Sequence, residues 1–79
     1  MPPTEPPPEW VLTHRRLIGT RIRDARRQRR LSQERLGELA GVDRQTINRI
    51  ELGHVNTGID TLVRIAAVVG VNVGDLIRT

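Results

Sequence analysis

The chain of 79 residues has no cysteine, no tyrosine and no phenylalanine, and a single tryptophan, Trp10. Without cysteine it can form neither a disulfide nor a thiolate metal site. His14 and His54 stand alone, with no second ligand at metal spacing, so no metal and no cofactor is expected. One aromatic residue is too few for the stacking platform of a single-strand nucleic-acid binder. No apolar run reaches the length of a membrane span, and the N-terminus lacks the apolar core of a signal peptide. A cytoplasmic protein without a membrane partner is therefore expected. A Gly-rich phosphate loop and a His–carboxylate pair at catalytic spacing are also missing, which argues against an enzyme. The segment Gly70-Val-Asn-Val-Gly74 reads instead as a helix stop and restart.

What is present is arginine. All 13 basic residues are Arg, against 9 acids, for a formal net charge of +4. Most of them lie between Arg15 and Arg30, where only Asp24 opposes them, whereas acids slightly outnumber bases from Glu51 onward. Such asymmetry suits a polyanion on one side of the molecule. The Arg run has no accompanying stripe of large apolar residues, which disfavours a membrane surface.

A chain this short makes one domain with a small, here aliphatic, core, and such domains often gain stability from a partner. All 5 prolines fall within Met1–Pro8. Proline there removes backbone donors and blocks helix, so residues 1–13 are expected to form a largely disordered arm, with a Pro-rich ligand for a partner domain as the other reading. Trp10, Val11 and Leu12 are apolar enough to pack back onto the domain or onto a second subunit. The domain proper is expected over 14–79.

Helical periodicity predicts a first helix from His14 or Arg15 to about Arg29, with Leu17, Ile18, Ile22 and Ala25 inward and Leu31 closing its end. Ser32 caps a second helix, Gln33 to Ala40, with Leu36 and Leu39 inward, and Gly41 stops it. Asp43 caps a third, about Arg44 to Leu52, ended by Gly53. A fourth runs from Gly58–Asp60 to about Val69, stopped by Gly70. Asn72 and the N3 acid Asp75 open a short fifth helix that ends near Ile77. Five helices without strands imply a compact all-α fold.

Within the third helix the spacing separates two faces. Ile47, Ile50 and Glu51 share one, together with Val42 from the turn. Arg44, Gln45, Asn48 and Arg49 share the other, and all four are side chains that hydrogen-bond base edges in a DNA major groove. Arg pairs with guanine O6 and N7, and Gln or Asn with adenine N6 and N7. Glu and Lys, the usual filler of a solvated helix face, are missing from it.

Ser32-Gln33-Glu34-x-Leu36-Gly37, then Gly41-Val42-Asp43-Arg44, then Ile47-x-x-Ile50-Glu51-x-Gly53 resembles, without gaps, the helix-turn-helix of phage Cro and C1 repressors, the XRE family. The resemblance extends from about Leu17 to Ile77 and includes Leu62-x-x-Ile65-Ala66-x-x-Val69-Gly70-Val71. It implies a lambda-repressor-like five-helix domain with the helix-turn-helix at helices two and three. It also implies sequence-specific binding of double-stranded DNA by a transcriptional regulator. By the same resemblance Gln33 touches a phosphate, Arg44, Gln45 and Arg49 read bases, and Thr46 and Asn48 make phosphate or secondary base contacts. Arg26 and Glu51 match an ion pair between helix one and the end of helix three. Leu52 and His54 depart from the pattern, standing where relatives place polar or basic phosphate contacts. Leu52 cannot make one; His54 makes it fully only when protonated, which predicts tighter binding as pH falls from about 7.5 to 6. Thr57-Gly58 replaces a common Pro-Ser cap before helix four. Gly37 stands where Ala is more usual, a change expected to be harmless because the crossing needs only a small residue.

One recognition helix reads too few base pairs for useful specificity, so the resemblance implies a homodimer on a pseudo-palindrome with half-sites about 34 Å apart or a multiple of that. Helix four has apolar residues beyond those a core needs. That surplus, Val63, Ala67 and Val68, with Val71, Val73 and Ile77 nearby, is the expected interface, and Trp10 is a second candidate anchor; the other reading is that either group completes the core. A repressor is the leading reading. The alternatives are an antitoxin, holding a toxin as protein partner, and a restriction–modification controller.

Overall fold

The computed structural model describes residues 5–78, and among these it contains five helices and no strand. Of the arm expected over residues 1–13, the first four lie outside the described residues. Helix α1 spans Glu9–Gln28, α2 Gln33–Ala40, α3 Arg44–Glu51, α4 Ile59–Val69 and α5 Val73–Ile77.

Helix α1 starts at Glu9, ahead of the expected His14 or Arg15, so the boundary drawn between residues 13 and 14 falls inside a helix. Pro8 sits at the N-cap in extended conformation (φ −66°, ψ 160°), and Glu9 places an acid in the first turn, where the helix dipole favours it. The Pro8 carbonyl accepts from the N–H groups of Val11 and Leu12 at 3.0 and 3.2 Å. Proline, which opposes helix over 1–8, is well suited to entering one, because the first helical donors need no partner. Val11 and Leu12 become half-buried, whereas Trp10 stays 73% exposed.

The core consists of Ile22, Leu36, Ala40, Ile47, Ile50, Ile65, Ala66, Val69 and Leu76. Burying each of the larger aliphatic side chains contributes about 1.5–3 kcal/mol. Two residues expected inside are not: Leu17 and Leu39 are 37% and 50% exposed. Each neighbours a buried or half-buried position, Ile18 and Ala40, and one residue of helix is a rotation of about 100°, enough to turn a side chain outward. Helix α3 packs on α2 and α1, α4 on α2 and α1, and α5 on α1 and α4.

Helices α2, α3 and α4 end at or beside glycines in the left-handed region, Gly41 (φ 73°), Gly53 (φ 75°) and Gly70 (φ 77°). After α3 the Gly53 N–H donates to the Ile50 carbonyl at 3.0 Å and the His54 N–H to the Arg49 carbonyl at 2.9 Å, the double closure of a Schellman turn. Gly53 also lies against Arg16 of α1, so a Cβ there would stand 2.8 Å from the Arg16 Cα. At Asn72 and Gly58 no side-chain capping bond forms, and the cap expected from Asn72 is replaced by a backbone bond from Asp75 N–H to the Asn72 carbonyl at 2.9 Å.

Candidate nucleic-acid interface

Helix α2 is opened by Ser32, whose Oγ accepts from the Arg35 N–H at 2.9 Å. Helix α3 is opened by Asp43, whose Oδ1 accepts from the Thr46 N–H at 2.9 Å and whose Oδ2 accepts from the Thr46 hydroxyl at 2.7 Å. The Thr46 hydroxyl bond first, and its backbone N–H second, hold the Asp43 carboxyl below the ordinary carboxylate value. Thr46, expected to contact nucleic acid, thus first serves the cap of its own helix. Between α2 and α3 the Val42 N–H donates to the Gly37 carbonyl at 2.8 Å. A Cβ on Gly37 would run into the Val42 carbonyl. Glycine is therefore well placed here, because backbone approaches backbone and a methyl group would force the Val42 carbonyl to shift.

The end of α3 is tied to α1 and α2 through Glu51. Arg26 donates from Nε to Glu51 Oε2 at 2.7 Å and from Nη2 to Oε1 at 3.0 Å, with both residues buried. This two-pronged geometry is the strong form of an Arg–carboxylate contact. The third Arg26 nitrogen, Nη1, donates to the Leu31 carbonyl at 2.8 Å. Gln33, first residue of α2, donates from Nε2 to Glu51 Oε1 and to Asn48 Oδ1, both at 3.1 Å. One hydrogen-bonded chain thus runs from α1 through Glu51 and Gln33 to the outward side of α3. Close approach of α1 makes it possible: a Cβ on Gly19 would meet the Ile50 and Glu51 carbonyls. The sequence pattern contains the Arg26–Glu51 match but gives no sign that Gln33 and Asn48 join it.

The outward side of α3 presents Arg44, Gln45, Asn48 and Arg49, all exposed, while Ile47, Ile50 and Glu51 on its inner side are buried. Arg44, Gln45 and Arg49 make no side-chain hydrogen bond or ion pair among the described residues, so their donors are free for a ligand. His54 is exposed just beyond, and Leu52 is 47% exposed.

The six residues expected at a dimer seam divide. Val63, Ala67 and Ile77 are exposed, whereas Val68, Val71 and Val73 are partly buried and pack against the core. Ile59, which periodicity does not single out, is 77% exposed and joins Val63 and Ala67 at i, i+4 and i+8 in one stripe of α4. Among the described residues no helix is long and apolar enough to cross a membrane, and no group of three or more His, Cys, Asp or Glu could hold a metal ion.

A family model described as "Helix-turn-helix" matches residues 22–76. No curated protein matches the chain significantly. Among solved structures it is similar to the restriction-modification controller protein C.AhdI from Aeromonas hydrophila, at 28% identity and a TM-score of 0.78, over 82% of this chain and 94% of that one. A hypothetical transcription factor, NHTF, from Neisseria is 28% identical with a TM-score of 0.78, over 98% of this chain and 84% of that one. The clp gene regulator ClgR from Corynebacterium glutamicum, 21% identical, shares the fold with a TM-score of 0.76 over 80% of this chain and 67% of its own. With the family match covering most of its length, the chain belongs to the Cro/C1-type XRE helix-turn-helix family of DNA-binding transcriptional regulators.

Proposed function

We propose that the protein acts in the cytoplasm as a homodimeric, sequence-specific repressor that binds a pseudo-palindromic operator, with α3 in the major groove and no catalytic activity of its own. The observation that carries this reading is the division of α3: a buried inner face and an outer face made wholly of exposed base-pairing side chains. Arg44, Gln45 and Arg49 read bases in this proposal. Asn48, Thr46 and His54 contact phosphates or flanking bases. Gln33, held by Glu51 and Asn48, sets the register of the helix pair against the backbone. The dimer forms through Ile59, Val63 and Ala67 of α4 together with Ile77. Val68, Val71 and Val73 leave the proposed seam because they pack against the core.

In-vitro selection from random duplex tests the proposal, and it should return two inverted half-sites. Arg44→Ala should then lose about 1–3 kcal/mol on the selected site and relax choice at one base pair, with little change on random DNA. Equal losses on both duplexes would remove Arg44 from base reading.

The likeness to C.AhdI favours a second reading, control of a restriction–modification operon. Adjacent endonuclease and methyltransferase genes, with the selected site in their promoter, would support it. A selected site in an unrelated promoter would reject it.

A further inference from the structure

We infer that Arg30 is a further DNA-backbone contact, presented beside the helix-turn-helix by a turn whose conformation an arginine adopts only against resistance. After α1 the chain reverses: the Arg30 N–H donates to the Arg27 carbonyl at 2.9 Å and the Leu31 N–H to the Arg26 carbonyl at 3.2 Å. The reversal puts Arg30 at φ 55°, and among the described residues it is the only one other than glycine with positive φ. Glycine fills the equivalent position after α2, α3 and α4. A Cβ in this region presses on the following carbonyl, so glycine is the residue that stability alone selects.

The two backbone bonds close the helix equally well with glycine, and among the described residues no contact of the Arg30 side chain offsets the strain. Arg30 is exposed, and its guanidinium has no hydrogen bond or ion pair among the described residues. A strained residue with no internal partner points to a gain made outside the folded chain.

Its position indicates which ligand supplies that gain. The next residue, Leu31, offers its carbonyl to Arg26 Nη1, and Arg26 grips Glu51, which in turn holds Gln33. The turn that carries Arg30 is thus tied, through the Leu31 carbonyl, to the network that reaches Gln33 and Asn48. With the outward face of α3 docked in a major groove, the nearest polyanion to an arginine at this turn is the phosphate backbone flanking the half-site. Arginine matches phosphate through paired donors and releases a counterion on binding. The inference rests on the docking of α3 proposed above and adds a contact that carries affinity without sequence information.

Titration by fluorescence anisotropy, on the selected site and on a random duplex over about 50–200 mM salt, tests it. Arg30→Gly should leave Tm at or above that of the wild type. It should weaken binding about five- to tenfold on both duplexes, and reduce the slope of log K against log salt by about one. Arg30→Lys should keep the slope. Arg78→Ala, which removes one charge beyond α5, should change neither affinity nor slope. Unchanged binding by Arg30→Gly would overturn the assignment while leaving the docking of α3 intact, and so would an equal loss in Arg78→Ala. A wild-type chain that binds no duplex would overturn both.

Discussion

Glu51 has a side chain only 3% exposed, and its partner Arg26 has 10%, so each charge depends on the other for what water would have supplied. Truncating one leaves the other buried and unpaired. Glu51→Ala should therefore lose about 3–5 kcal/mol in urea unfolding, a large share of the stability of a small domain. Arg26→Met combined with Glu51→Leu should lose less than either charge-stranding single change. A double variant as unstable as the sum of the singles would show that the pair is not coupled. Asp43 is the opposite case, an exposed carboxylate stabilised by its bonds to Thr46. Because its folded-state value lies below the ordinary 3.8, its contribution is complete above that pH and is lost as pH falls through the folded-state value. Asp43→Ala should lower Tm at neutral pH, and the gap to the wild type should close in melts below pH 3.8. A gap that persists into strong acid would show that the ionised cap is not its source.

At the scale of the elements, two glycines set how closely helices approach. Gly19 lets α1 reach the C-terminal carbonyls of α3, and Gly37 lets α2 reach the turn carbonyl of Val42. Overpacking at such contacts costs about 1–3 kcal/mol. Gly37→Ala should lose that much in denaturant melts. It should also weaken specific DNA binding at temperatures where the variant is still folded, because the angle between α2 and α3 changes. A stable variant with unaltered binding would return Gly37 to the interchangeable small residues. Legibility differs among the elements for a physical reason. The bounds of α2 and the start of α3 follow from sequence because Ser32 and Asp43 cap them with their own side chains. The start of α1 does not, since Pro8 contributes only a carbonyl. Its end at Gln28 falls within one residue of the expected Arg29, although an arginine rather than a glycine takes the left-handed position.

For the whole molecule, α4 leaves Ile59, Val63 and Ala67 in water on one stripe, and Ile77 of α5 is 41% exposed. If two copies meet there, Val63→Glu should shift the protein from dimer to monomer in sedimentation velocity. Binding to a two-half-site duplex should fall with it, while the melting curve of the monomer fold stays close to that of the wild type. A dimer that survives the substitution would place the interface elsewhere.

The sequence by itself determines the helix-turn-helix, the order of five helices and the chemistry of the outward face of α3. Caps, stop glycines and 3.6-residue periodicity act within a few residues and need no knowledge of distant contacts. Only the tertiary structure decides which of several apolar residues on one helix are buried, as with Leu39 against Ala40 or Val63 against Val68. It alone joins Gln33 and Asn48 to the Arg26–Glu51 pair, and shows that Gly37 has no room for a methyl group. Depth and close approach are properties of segments far apart in the chain meeting in space, and no local pattern encodes them.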